Sequence, residues 1–84
     1  MDVMEKICGY VQEHFEIGDD PDFGVDVNLF DEGFVDSLGA TEIVFFVEST
    51  FGIKISQKDI ILYAMNTVNE IADVVERKLQ EQGK

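Results

Sequence analysis

Hydrophobic residues recur at helical spacing in three segments of the chain, and each segment is predicted to form an amphipathic helix. The first segment runs from Val3 to Phe15 and carries its apolar residues at positions 3, 4, 7, 8, 11 and 15. The second begins at Ser37, ends before Gly52 as helices commonly do, and has the stripe Leu38, Ile43, Phe46, Val47 and Phe51. The third is expected to fray from Gln80 onward, and its stripe consists of Val68, Ile71, Ala72, Val75 and Leu79.

A shorter helix is predicted between the second and third long segments. Ser56 followed by Asp59 is typical of a helix N-terminus, and the pattern extends this helix through Ile60, Ile61 and Ala64. Thr67 and Glu70 form a capping box that begins the last helix. The sequence therefore predicts an all-α fold, a small four-helix bundle of three main helices and one short one.

Residues 16–36 interrupt the helical pattern with glycine, proline and aspartate, which indicates a loop. A loop of about twenty residues is long for a small domain, and such loops are usually functional or disordered. Its apolar residues should pin it to the core, so we expect a long ordered loop between the first two helices. These residues are Leu29, Phe30, Phe34 and Val35.

Length and charge narrow the function classes. The 84 residues suffice for one compact domain, residues 1–84, and the formal net charge is −12. Residues 1–36 hold eleven acidic residues, Asp19 among them, and one base, Lys6. Such a charge repels nucleic-acid phosphates and anionic membranes and favours basic protein partners.

Targeting and cysteine signals are sparse. The sequence contains neither an apolar run long enough to span a bilayer nor a secretory signal at Met1–Glu5. Cys8 is the single cysteine and lies on the apolar stripe, so we interpret it as a small core residue rather than a nucleophile. A cytoplasmic monomer is expected.

Candidate catalytic and metal chemistry is weak. A calcium-binding EF-hand needs oxygen ligands at alternate positions, a glycine at the sixth position and a glutamate at the twelfth. The acidic loop does not meet this spacing in any register, so no metal is predicted. His14 is the single histidine and is interpreted as a surface residue at a helix end. Without a Gly-x-Ser-x-Gly elbow or a paired base, we predict that the protein is not an enzyme.

Ser37 stands where the acidic loop meets the second predicted helix. A helix N-terminus has free amides and a partial positive charge, which favour an attached phosphate. The alternative interpretation is that Ser37, or Asp36 before it, only caps the helix.

The Asp36-Ser37-Leu38 sequence, after an acidic loop and before an amphipathic helix, resembles the phosphopantetheine attachment site of acyl carrier proteins and peptidyl carrier domains. The likeness covers nearly the whole chain. It includes the segment from Leu29 to Leu38 and the Phe51-Gly52-Ile53-Lys54-Ile55 stretch.

This resemblance implies that Ser37 Oγ accepts phosphopantetheine from coenzyme A through a phosphopantetheinyl transferase. The arm would carry acyl or aminoacyl groups as thioesters, in fatty acid, lipid or secondary-metabolite biosynthesis. Asp36 would assist the transferase near its magnesium ion, and Leu38 would anchor the helix start in the core. Other partners would be enzymes with basic surfaces that load or transfer the acyl or aminoacyl group. They would bind at Glu42, Val44, Phe45 and Glu48.

Two departures leave the cargo open. Fatty-acid carriers usually place an acid where this chain has Gly39, and they continue the acidic run where Ser49 and Thr50 follow Glu48. The Gly33-to-Gly39 pattern is similar to that of D-alanine carrier proteins, which work with an adenylating ligase. A third interpretation is an acidic protein-interaction module with unmodified Ser37.

Overall fold

The computed structural model describes residues 2–18, 20–63 and 65–82, with the backbone alone for Ile61. Across these residues all regular structure is helical: α1 (Val3–His14), α2 (Ser37–Phe51), α3 (Gln57–Leu62) and α4 (Val68–Gln82). α1 packs mainly against α4, and α2 also contacts α4. Three long helices and one short helix therefore confirm the predicted small all-α bundle.

The core is made by one face of each long helix together with the segments that connect them. Its buried hydrophobic side chains are Ile7, Val11, Ile17, Leu29, Val35, Ile43, Val47, Ile53, Ile55, Val68, Ile71, Ala72, Val74 and Val75. Fully burying one such side chain stabilises the fold by about 1.5–3 kcal/mol. Cys8 is half-buried against this core, as predicted, and burial raises the pKa of its thiol.

Leu38 is a correction to the predicted stripe of α2, because its side chain is 70% exposed. Gly39 and Ile43, four residues apart, are both buried and define the inward face of the helix. Leu38 lies five residues before Ile43, roughly 140° around the helix from it, and so points away from that face. The idea that Leu38 anchors the helix start in the core is therefore wrong.

The loop between α1 and α2 is ordered by backbone hydrogen bonds to the beginning of α4. Leu29 N donates to Asn66 O at 2.8 Å, and Asn69 N donates to Val25 O at 3.0 Å. The buried side chains of Leu29 and Val35 attach the same segment to the core. The expected ordered loop is thus confirmed for its described residues, while Asp19 lies outside them.

The helix ends follow local chemistry. Gly52 ends α2 in the left-handed conformation at φ 67°, which glycine adopts without strain. Ser56 and Asp59 form a reciprocal capping box at the start of α3. The predicted box at α4 is also present, because Glu70 N donates to Thr67 Oγ1 at 3.0 Å and Thr67 N donates to Glu70 Oε1 at 3.1 Å.

Two predicted ends differ from the structure. α3 ends at Leu62 because Tyr63 adopts an extended conformation, and the predicted Ala64 lies outside the described residues. α4 continues to Gln82 instead of fraying from Gln80, since Gln82 Nε2 donates to Gly52 O at 2.7 Å and ties the helix end to the end of α2. The remaining frayed residues of that prediction, 83 and 84, lie outside the described residues.

Candidate functional site

Ser37 is the first residue of α2 and its side chain is exposed. The residue that caps the helix is Asp36, whose Oδ1 accepts a hydrogen bond from Gly39 N at 2.8 Å. Of the two capping possibilities that the sequence left open, the structure selects Asp36. The Ser37 hydroxyl is therefore not required as the cap of α2.

The backbone at this end of α2 provides an electropositive environment. The first intrahelical hydrogen bond runs from Ala40 N to Asp36 O at 2.9 Å, so the amides of Ser37 and Leu38 precede the helical ladder. Amides that make no intrahelical hydrogen bond and the helix dipole together stabilise an anion within the first turn. An exposed hydroxyl in this position fits a phosphate ester better than a buried or capping hydroxyl would.

Gly39 holds the first turn of α2 close to its neighbours. A Cβ atom at this position would lie 2.8 Å from Phe15 Cε1 and 3.0 Å from Val35 Cγ1. Real Cβ atoms do not approach carbon so closely without displacing a neighbour. The residue that departs from the fatty-acid carrier pattern thus has a packing role here, which sets how α1 and the loop support Ser37.

Glu42, predicted to face partner enzymes, also connects α2 to α1. Its Oε1 lies 3.1 Å from His14 Nε2, and its backbone oxygen accepts a hydrogen bond from the Tyr10 hydroxyl at 3.5 Å. Tyr10 in turn stacks on Phe46 with ring centroids 3.9 Å apart. His14 is exposed at the end of α1, as the sequence predicts, and its neighbour is this carboxylate.

Glu48, the second acidic residue of α2, is engaged with the connection to α3. Its Oε2 accepts a hydrogen bond from Ile55 N at 2.8 Å. Since Ile55 is buried, this bond satisfies an amide that has lost its water. Glu48 is half-buried, so its predicted role in binding partners competes with a role inside the fold.

Val44 and Phe45, both predicted to meet partner enzymes, differ in their exposure. Phe45 is 71% exposed. Val44 is half-buried against the core and lines a cavity. Adjacent helical residues point about 100° apart, so of the two only Phe45 points outward.

An open cavity of about 480 Å³ lies between α2 and the α3 side of the bundle. Along α2 it is lined by Ala40, Val44 and Glu48. Opposite them it is lined by Ile55, Ile60 and Tyr63. The sequence analysis did not locate this cavity, because its wall combines residues from separate elements with no shared periodicity.

An ion pair fixes the α3 side of this cavity to α4. Lys78 Nζ lies 2.7 Å from Asp59 Oδ2. The hydrogen bond from Lys78, followed by the one from the Ser56 amide, lowers the pKa of Asp59 to about 2. The same carboxylate belongs to the capping box, so one residue begins α3 and attaches it to the bundle.

Other ligand chemistry is sparse in the part of the chain that the structure describes. Within residues 2–18, 20–63 and 65–82, His, Cys, Asp and Glu side chains do not gather in groups of three or more that could hold a metal ion. Among the same residues, no helix combines the length and apolar character needed to cross a membrane.

The structure is a small helical bundle with an exposed serine at the start of α2, and comparison with known proteins shows its family. Residues 5–75 match the family described as "Phosphopantetheine attachment site". The chain belongs to this family, whose members bear covalently attached phosphopantetheine. It is therefore a carrier protein, as the sequence resemblance predicts.

Individual relatives fall into two kinds of carrier. The chain is 28% identical over 82 residues to the chloroplastic acyl carrier protein 1 of Cuphea lanceolata, covering 98% of this chain and 56% of that protein. It is 36% identical over 71 residues to the D-alanyl carrier protein of Streptococcus suis, covering 84% of this chain and 87% of that protein. A D-alanyl carrier protein of Streptococcus pyogenes is 42% identical over 52 residues, covering 62% of this chain and 66% of that protein. The chain thus spans little more than half the length of the chloroplastic relative.

Proposed function

We propose that Ser37 carries the phosphopantetheine arm and that the protein is an acyl carrier. The observation that supports this most is the position of Ser37. It is the exposed first residue of α2, inside the matched family region, and Asp36 caps the helix in its place.

In the proposed modification, Ser37 Oγ attacks a phosphorus of the coenzyme A pyrophosphate in the active site of a phosphopantetheinyl transferase. A new P–O bond forms between Oγ and the phosphorus that bears the pantetheine. The P–O–P bond breaks, adenosine 3′,5′-bisphosphate leaves with the bridging oxygen, and the transferase's base takes the hydroxyl proton. The positive end of α2 stabilises the resulting phosphodiester. The arm supplies a terminal thiol that holds an acyl group as a thioester.

An acyl cargo is supported by the cavity between α2 and α3. Alkyl chains gain free energy when they leave water for an apolar cavity, at about 0.8 kcal/mol for each buried methylene. Side chains such as Val44, Ile55 and Ile60 provide such a wall. The proposed pathways are fatty acid, lipid or secondary-metabolite biosynthesis.

An aminoacyl cargo, D-alanine in particular, is the second candidate. It is favoured by the 36% and 42% identity to streptococcal D-alanyl carrier proteins. A small charged aminoacyl group gains little from an apolar cavity and would stay in solvent. The two cargoes therefore predict opposite behaviour at the cavity.

The protein is proposed to act through partner enzymes. Residues 1–84 act as one monomeric cytoplasmic domain without catalytic activity of its own. The transferase and the acyl-loading enzymes approach the exposed Leu38 and Phe45, with Glu42 nearby.

Intact-mass spectrometry tests the attachment residue. The protein is incubated with coenzyme A, magnesium and a broad-specificity phosphopantetheinyl transferase. We expect the wild type to gain one phosphopantetheine and Ser37→Ala to gain none.

The matched control is Ser49→Ala, which changes an exposed serine elsewhere on α2 and should be modified like the wild type. Modification of Ser37→Ala would disprove the assignment of the site. A folded wild type that gains no mass would favour the interaction module with unmodified Ser37.

A further inference from the structure

The cavity follows one face of α2. Its lining residues Ala40, Val44 and Glu48 follow one another at intervals of four and share one face of the helix. Eight residues of α-helix rise by about 12 Å. Of these three lining residues, Ala40 is the nearest to Ser37 along the chain and Glu48 is the farthest.

A hydrogen bond spans from α2 to the segment before α3 at the Glu48 end of the cavity lining. Glu48 Oε2 accepts from Ile55 N at 2.8 Å, and both residues line the cavity. The buried side chains of Ile53 and Ile55 attach the same short segment to the core, and Ser56 after it caps α3. This one bond therefore joins α2 directly to the segment that carries α3.

An alkyl chain cannot extend past this bond without cost. The chain end would have to displace the carboxylate from Ile55 N and leave a buried amide unpaired, or else place a methyl group against a carboxylate. A fully extended backbone advances at most about 3.6 Å for each three-bond repeat, or about 1.2 Å per bond. The stretch of about 12 Å between Ala40 and Glu48 thus matches an extended alkyl chain of roughly ten carbons.

We propose that Glu48 is a specificity-determining residue, whose hydrogen bond to Ile55 N ends the cavity and limits the length of the acyl chain that the protein shelters. This inference rests on the proposed acyl cargo. Glu48 acts by position only and takes no part in forming or breaking the thioester.

The test measures the melting temperature of the holo-protein loaded with saturated acyl groups of increasing length. A chain that inserts into the native state, and not into the unfolded state, raises the melting temperature. For the wild type we expect a rise with chain length that levels off near about ten carbons. In Glu48→Ala the rise should continue for about two further carbons, the space that the carboxyl group had occupied.

Three further variants separate this effect from general destabilisation. Glu48→Gln retains an oxygen that can accept from Ile55 N and should keep the wild-type limit. Glu48→Asp keeps the charge but shortens the reach, and it should lengthen the limit even if the alanine variant fails to fold. Glu42→Ala removes the other α2 carboxylate, which pairs with His14 outside the cavity lining, and should leave the limit unchanged.

The outcomes distinguish this inference from the proposed function. If the wild-type melting temperature does not respond to any chain length, the acyl cargo itself is wrong and the aminoacyl alternative gains support. If the wild type shows a limit that the alanine and aspartate variants share, the acyl cargo stands and the role of Glu48 is disproved.

Discussion

Single residues at the beginning of α2 have different roles at the proposed attachment site. Asp36 caps the helix, and the Ser37 hydroxyl is exposed. Gly39 permits Phe15 and Val35 to approach the first turn. The absence of a side chain at Gly39 therefore serves packing, in contrast to Gly9 of α1, around which a Cβ atom would meet nothing within 4 Å.

The same substitution at these two glycines should have opposite effects. Gly39→Ala should destabilise the protein by up to about 2 kcal/mol, because overpacking typically costs about 1–3 kcal/mol and the gain in helix propensity offsets about 1 kcal/mol. Gly9→Ala should stabilise it by about 1 kcal/mol, since an open helical position gains propensity without a clash. Urea unfolding measures both free energies, and equal effects at the two positions would contradict the close packing at Gly39.

Among the helices, α3 depends most on its connections. It runs only from Gln57 to Leu62, and helices this short are not stable by themselves in water. Its capping box and the ion pair between Asp59 and Lys78 fasten its N-terminal end. Its outward residues Ile60 and Leu62 are 47% and 60% exposed, so hydrophobic burial contributes less here than in the long helices.

Asp59 should make the stability of the bundle sensitive to acid. Its pKa is lowered to about 2 in the folded protein from an ordinary value of 3.8. The stabilisation is therefore fully present above about pH 4 and is lost as the pH falls toward about 2. Asp59→Asn should be less stable than the wild type at pH 7, and the difference in the free energy of unfolding should shrink between pH 4 and pH 2.

Asp73→Asn is the control for this experiment. Asp73 pairs with Arg77 on the exposed surface of α4, where ion pairs contribute little. Its substitution should change the stability at pH 7 much less. Denaturation curves that show the same pH response for both variants would refute the special role of Asp59.

For the whole molecule, the negative charge is concentrated outside α2. The chain has a net charge of −12 and places eleven of its 18 acidic residues in residues 1–36. Both carboxylates of α2 are hydrogen-bonded within the fold, through His14 and Ile55. The exposed acids Asp31 and Glu32 lie in the loop that leads to Ser37, so they are expected to contribute to a negative field that attracts basic enzymes.

The association rate with a basic phosphopantetheinyl transferase should fall as salt is added, because exposed charges are screened within about 8 Å at physiological ionic strength. Neutralising Asp31 and Glu32 together, as Asn and Gln, should lower the rate at low salt and weaken its salt dependence. The control replaces Glu76 and Glu81 of α4 with Gln, which removes the same charge far along the chain from Ser37. Stopped-flow rates that respond equally to both double variants would show that only net charge matters.

The elements of this protein could be predicted from local sequence, because their signals are local. The 3.6-residue pattern located the three long helices, and side chains within three residues of each start identified the boxes at Ser56 and Thr67. The family could be recognised for a similar reason, because Asp36-Ser37-Leu38 follows an acidic loop and precedes an amphipathic helix along the chain. The assignment of Ser37 itself stays a prediction until the mass measurement.

Only the tertiary structure decided which neighbours each side chain meets. Leu38 belongs to an apolar stripe by spacing but is exposed, because the buried Gly39 and Ile43 set the inward face of α2. Glu42 and Glu48 are both acidic residues of α2, yet Glu42 pairs with His14 of α1 and Glu48 accepts a hydrogen bond from Ile55 N. Periodicity along the chain shows which residues share one face of a helix. The contacts of that face are made with residues that are distant in sequence, and a local pattern does not identify those residues.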